Sequence, residues 1–155
     1  MSRARLLLHL AALLAPFVAA CLWCLLLFRS DAALAYRQIA IFGGLGVVAA
    51  QFVALLRWRA LEQRARNRSG AWKTGIGMAA ITHVLFGLLF VAAYAASARW
   101  LQAGEPANAK DLLVQAAFFT AMSLLAVGVI TLPLTAWLAH AIAKLRGKEF
   151  TDDAR

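Results

Sequence analysis

Charged positions along this chain are bunched, and they separate four long runs of uncharged and mostly apolar residues. The spans predicted from these runs cover residues 6–28, 38–57, 74–98 and 112–143. A bilayer core about 30 Å thick takes about 20 apolar residues of helix to cross, and each run approaches or exceeds that length. The runs lack the polar stripe that marks a helix of a soluble bundle. The pattern predicts an all-α fold: a polytopic membrane protein built as an antiparallel four-transmembrane-helix bundle.

Composition agrees with this fold class. Of 155 residues, 63% are hydrophobic and 15% are charged, whereas soluble domains average about 45–50% apolar and about 25% charged residues. A soluble helical bundle is therefore the less favoured alternative, and residues 1–155 are predicted to form a single transmembrane domain. The longest run, 112–143, is longer than a crossing needs, so we expect it to tilt or to project into the interface beyond Pro133.

Three segments concentrate the positive charge and predict the orientation of the chain. The net charge is +9, and the segment 57–73 carries six cations against one acid, Glu62. The N-terminus adds two arginines, and the tail 144–155 begins with three more cations. Lysine and arginine are enriched in cytoplasmic loops, and four spans put both termini on the same side. Both termini are predicted to be cytoplasmic (N-in, C-in). Alanine- and arginine-rich usage further indicates a bacterial chain, and hence the inner membrane.

The basic segment 57–73 is expected to contact anionic lipid headgroups rather than nucleic acid, because its charges lie directly beside apolar spans. The predicted headgroup contacts are Arg57, Arg59, Arg64, Arg66, Arg68 and Lys73.

The second span is predicted to continue into this segment as an amphipathic helix. Trp58, Leu61 and Ala65 share one helical face, and the helix is expected to lie near the headgroups. Glu62 and Arg66 have the i,i+4 spacing of an ion pair.

The first span contains Cys21 and Cys24 in the sequence CLWC. Four spans, a cytoplasmic N-terminus and a C-x-x-C pair resemble, in outline, the membrane thiol oxidases that pass electrons from a periplasmic disulfide to quinone. That resemblance implies a redox dithiol, but the family uses a second cysteine pair and this chain has two cysteines in all. The residues VAAC (18–21) also resemble a lipoprotein cleavage box, although the apolar run continues to Phe28. We interpret the run as an uncleaved span whose cysteines pack, with lipidation and redox chemistry as the alternatives.

His83 is an ionisable residue in the middle of the apolar stretch AAITHVLFGLLF (79–90). At 1.5 Å per residue from Lys73, it lies about 15 Å deep, near the midplane of the bilayer. Ionisable groups at that depth are costly, so they usually have a partner or a function. We predict a neutral imidazole that ties two helices together. The alternative is a protonatable relay, although the spans contain no acidic companion.

Two partners are predicted for His83. Thr135, counted back from Lys144, falls at about the same depth. Pro16 lacks an N–H, so the carbonyl of Ala12 has no helical donor and is free to accept a hydrogen bond. Either partner would connect the third span to the fourth or the first.

Further candidate contacts come from polar and small residues within the spans. Counted from the nearest basic residues, His9 and His140 are predicted to lie at equal depths on different helices, a geometry that bis-histidine haem ligation requires. Haem or metal binding is therefore an alternative, while our prediction is that no cofactor and no metal is bound. Gln51 is predicted to hydrogen-bond across helices. Small residues at every fourth position predict a helix-packing face at Gly46, Ala50 and Ala54.

The sequence contains no phosphate loop, nucleophile–base pair or carboxylate pair. We therefore predict a non-enzymatic membrane protein that acts through helix contacts with a membrane-protein partner or a second copy of itself, in an accessory, assembly or immunity-type role. One alternative is a small transporter or channel subunit with His83 lining the pathway. Another is a membrane thiol-redox or haem protein.

Overall fold

The structure is a computed structural model, and it describes residues 2–67, 69–100 and 108–152. All regular structure in these residues is helical: α1 (Arg3–Leu27), α2 (Ala32–Arg66), α3 (Trp72–Trp100), α4 (Ala109–Ser123), a π-helical segment (Leu124–Gly128) and α5 (Val129–Asp152). α4, the π-helical segment and α5 form one continuous helix. Within the described residues, four helices are thus long and apolar enough to cross a membrane. The all-α class and the four long apolar helices are confirmed.

Side-chain caps fix where three of these helices begin. The side-chain oxygens of Ser2, Asp31 and Asn108 each accept a hydrogen bond from the backbone N–H three residues further along, at 3.2, 2.9 and 2.9 Å. Such caps satisfy donors that the first helical turn leaves unpaired. The starts of α1, α2 and α4 are therefore encoded locally, just outside the apolar runs.

α1 and α2 pack closely through small residues. A Cβ atom on Gly46 would lie 3.1 Å from the Cβ of Pro16 on α1. Ala54 is fully buried and Ala50 is half-buried. The predicted packing positions of the second span therefore lie inside the bundle rather than towards lipid.

α3 and the fourth long helix touch backbone to backbone near the start and near the middle of α3. A Cβ atom on Gly75 would lie 2.5 Å from the carbonyl oxygen of Thr135 and 2.7 Å from the Cα of Ala136. A Cβ on Gly87 would lie 2.8 Å from the carbonyl oxygen of Ala116. Only glycine lets the two helices approach so closely, and these contacts fix their relative positions.

The start of α1, the α2–α3 connection and the end of α5 meet at one end of the bundle, which we call the basic end. Trp58, Leu61 and Ala65 are buried there in one cluster with Ile142 and Ala143 of α5. The second span does continue as a helix, to Arg66, and its apolar face is buried within the bundle. α5 covers the face, because α2 and α5 run on together beyond the predicted spans.

An ion network joins three helices at the basic end. Arg146 of α5 donates hydrogen bonds to Glu62 of α2 at 2.7 and 3.1 Å, and to Glu149 at 3.0 Å. Glu149 also accepts from the backbone N–H of Ala4, at 3.2 Å. Burial by itself lowers the pKa of Arg146, but its hydrogen bonds to the two glutamates raise the pKa above the usual value for arginine. The guanidinium stays charged, as its hydrogen bonds to two carboxylates require.

The predicted Glu62–Arg66 pair is wrong. Glu62 pairs with Arg146 on the neighbouring helix, while the guanidinium of Arg66 lies 4.3 Å from the centre of the Phe150 ring. A half-buried partner on another helix that donates two hydrogen bonds outcompetes an exposed partner one turn away, since exposed i,i+4 pairs contribute only about 0.3–0.5 kcal/mol.

At the other end of the bundle, α1 and α4 lie apart. α1 packs against α2 and, at the basic end, against α5, whereas α4 packs against α3. A space of about 530 Å³ remains in between, which we call the cleft, and it extends to Leu8 and Ile142 of the cluster at the basic end. Its lining includes Ala15, Ala19, Trp23, Phe42, Phe86 and Phe119. Because the other neighbouring helices are packed together, the cleft opens sideways, between α1 and α4.

Candidate functional site

His83 lies on α3 beside the cleft, and its ring is held on both sides by hydroxyl groups. Its side chain is buried, with 7% of the residue exposed. Nδ1 lies 2.7 Å from Oγ of Ser123, and Nε2 lies 2.8 Å from Oγ1 of Thr131. Ser123 ends α4 and Thr131 lies in α5. One ring on α3 therefore bridges the π-helical segment of the fourth long helix.

The π-helical segment explains how both hydroxyls reach one ring. Residues eight positions apart in a regular α-helix are rotated by about 80° around the axis, since each residue turns by about 100°. A π-helical turn closes between residues i and i+5, so it takes up one residue more than an α-helical turn. Ser123 and Thr131 are therefore related like residues seven apart in an α-helix, which share a face.

This arrangement has two chemical uses. A neutral imidazole donates from one nitrogen and accepts at the other, and each hydroxyl can do either, so both nitrogens are satisfied in either tautomer. The ring can thus serve as a fixed tie between α3 and both halves of the fourth helix. It can also take up a proton at one nitrogen and release one from the other. Among the described residues, no carboxylate hydrogen-bonds to the ring.

Thr135 lines the cleft but is not the hydrogen-bond partner of His83. The depth estimate placed Lys73 and Lys144 at the same level. The structure shows Gly75 packed against Thr135, so Thr135 lies level with the start of α3, two turns away from His83. α5 continues past the level of Lys73, and this offset shifts the true partners of His83 towards Thr131 and Ser123.

Gln51 forms a reciprocal pair with His9 that ties α2 to α1. Its Nε2 donates to the carbonyl oxygen of His9 at 2.8 Å, and its Oε1 lies 2.8 Å from Nδ1 of His9. An amide oxygen only accepts, so Nδ1 carries the proton in this pair. His140 lines a pocket at the basic end that is separate from the cleft. The two histidines of the haem hypothesis thus face different surroundings.

Both cysteines of the first span are free thiols in the structure. Cys24 is buried and lines the cleft, and Cys21 is half-buried one turn before it. In the described part of the chain, no three His, Cys, Asp or Glu side chains are grouped as metal ligands would be.

The predicted headgroup contacts lie at the basic end, except for Arg68, which falls outside the described residues. Arg59 and Lys73 are exposed, and Arg57 is half-buried. Arg64 and Arg66 are exposed as well, and they line a pocket shared with α5. Contact with lipid headgroups stays a prediction.

Sequence reasoning missed four residues that hold the site and the basic end together: Ser123, Thr131, Arg146 and Glu149. Ser123 and Thr131 could not be recognised from the sequence, because residues eight positions apart do not share a face of a regular α-helix. Arg146 and Glu149 could have been recognised, since an opposite-charge pair three residues apart marks a charged helical face.

Comparison of the chain with protein-family models, with curated proteins and with solved structures finds no match in any of the three. The site therefore rests on its own geometry.

Proposed function

We propose that this chain is a non-enzymatic protein of the bacterial inner membrane, with both termini in the cytoplasm, that holds a transmembrane helix of a partner against its cleft. The partner is another membrane protein or a second copy of the chain. The observation that carries the proposal is the open side of the bundle between α1 and α4, where about 530 Å³ is left unfilled.

The wall of the cleft suits a helix. Ala11, Ala15 and Ala19 recur at every fourth position of α1 and line the cleft. Small residues at that spacing let a second backbone approach closely, which is how helices associate in lipid. Larger side chains of the partner would then enter the unfilled space. The surrounding wall contains no Asp, Glu, Lys or Arg and is mostly apolar, so the matching helix face is apolar.

Filling the cleft should abolish partner binding without unfolding the protein. In Ala19→Trp, the indole ring occupies the space where the partner's side chains would go. We expect a photo-crosslinker at Ala15 to form one discrete adduct in cells, and that adduct to fall at least about tenfold in Ala19→Trp, because a blocked packing face costs more than about 1.4 kcal/mol. The measurement is the adduct yield on a denaturing gel.

The matched control is Ala93→Trp, at an exposed position on α3 outside the cleft. It adds the same ring and should leave the adduct unchanged. Equal losses in both variants, or no loss in Ala19→Trp, would remove the cleft as the binding face.

The orientation has its own test. Reporter fusions after residue 65 and after Arg155 should read as cytoplasmic, and fusions after Ala33 and Asn108 should read as periplasmic, because the basic segments then share the cytoplasmic side. Activity of a phosphatase reporter, which requires the periplasm, at the C-terminal fusion would contradict the N-in, C-in arrangement.

A second candidate function is a small transporter or channel subunit, and one observation favours it. His83 and its two hydroxyl partners line the cleft, so a polar group lies where a cargo could pass. The remaining wall is mostly apolar, which suits an uncharged molecule better than an ion. Substitutions of His83 separate this function from partner binding, as argued below.

A further inference from the structure

A second pocket, of about 780 Å³, lies at the basic end between the ends of α2 and α5. Five of its lining residues are basic: Arg64, Arg66, His140, Lys144 and Lys148. No carboxylate of the described residues lines it. The two nearby glutamates, Glu62 and Glu149, are already engaged by Arg146. The pocket therefore concentrates uncompensated positive charge.

Two features supply hydrogen-bond donors at the pocket. The guanidinium of Arg66, which lines the pocket, lies 4.3 Å from the centre of the Phe150 ring. The Oγ of Ser69 is buried and has no hydrogen-bond partner among the described residues. A buried hydroxyl without a partner costs free energy, and an anion that accepted its hydrogen bond would remove that cost. Cations beside a spare donor suit a tetrahedral oxyanion.

We infer that this pocket binds the phosphate group of an anionic phospholipid. Arginine forks and lysine ammonium groups are the usual phosphate-binding side chains. The wall formed by Ala65, Ala143 and Phe150 adds apolar surface beside the cations, as the glycerol and upper acyl region of a lipid requires. Basic pockets at the ends of transmembrane helices are suited to such headgroups. The inference relies on the membrane-spanning fold and not on a partner in the cleft.

The proposal is tested on purified full-length protein in detergent, titrated with phosphatidylglycerol and separately with zwitterionic phosphatidylcholine. Native mass spectrometry counts the retained lipids. We expect one phosphatidylglycerol to bind more tightly than any further one, and phosphatidylcholine to show no such site. Each of Lys144→Gln and Lys148→Gln should weaken that first site about fivefold, and the double variant about 25-fold, since a basic residue near an anionic headgroup contributes about 1 kcal/mol.

Arg3→Gln is the matched control, because Arg3 is exposed at the same end but does not line the pocket. It should leave the first site unchanged, and the charge-keeping Lys144→Arg should retain binding. A loss in Arg3→Gln equal to that in Lys144→Gln would show diffuse attraction and overturn the pocket. Inorganic phosphate that displaced the lipid at millimolar concentration would overturn the lipid as the source of the phosphate.

Discussion

Replacing Gly75 by Ala should destabilise the protein more than any other single methyl group added to a glycine of α2 or α3. The new Cβ would lie 2.5 Å from the carbonyl oxygen of Thr135 and 2.7 Å from the Cα of Ala136. These are backbone atoms, so no side chain can swing away and the helices must separate. We expect the free energy of unfolding to fall by about 3 kcal/mol, the upper end for overpacking. Reversible unfolding in detergent, followed by circular dichroism, measures it.

Gly44→Ala is the control, because a Cβ at Gly44 meets no atom within 4 Å. Alanine there should leave stability unchanged or raise it by about 0.5–1 kcal/mol, since glycine is the poorer helix former. If Gly75→Ala unfolds at the same denaturant concentration as Gly44→Ala, α3 and α5 do not touch as described.

His83→Leu should destabilise the protein by about 1–3 kcal/mol, because it removes two interhelical hydrogen bonds that are each typically worth about 0.6–1.7 kcal/mol in a membrane. His83→Gln keeps a donor and an acceptor, so it should lie close to the unsubstituted protein in stability. The same unfolding measurement applies. Thr82→Val is the control: Thr82 neighbours His83 in sequence, but its hydroxyl bonds only to the carbonyl of Met78 in its own helix.

The two His83 variants also decide between a tie and a relay. If the ring is a structural tie, His83→Gln keeps partner cross-linking at the cleft and His83→Leu weakens it together with stability. A relay requires a group that changes charge, which glutamine cannot do. Loss of function in His83→Gln, with its stability intact, would reject the tie and make transport the leading function.

The apolar runs predict the number and class of the long helices, because an uncharged run of about 20 residues has the length of a helix that crosses a bilayer. They predict the ends less well. α2 and α5 continue to Arg66 and Asp152 because they share one apolar cluster, in which Leu61 is buried and against which Phe150 packs, and that cluster is not visible in either helix alone.

The place of His83 near the middle of its helix was predictable, whereas its hydrogen-bond partners were not. Counting residues from a lysine assumes that all lysines lie at one level, and α5 violates that assumption. The π-helical segment then changes which residues share a face. The interhelical hydrogen bonds of Gln51 were easier to predict, because an amide inside an apolar span finds hydrogen-bond partners mainly on a neighbouring helix.

The π-helical segment makes the fourth long helix one residue longer than a regular helix with the same inward face would be. A deletion of one residue within Leu124–Gly128 would convert it to regular α-helix and leave Ser123 and Thr131 on a common face. A deletion elsewhere, for instance between residues 117 and 119, would rotate every earlier side chain by about 100° and turn Ala116 away from Gly87. A one-residue deletion should therefore be tolerated within the π-helical segment and should disrupt packing elsewhere in this helix. A relative lacking one residue in that segment would present the same inward-facing side chains.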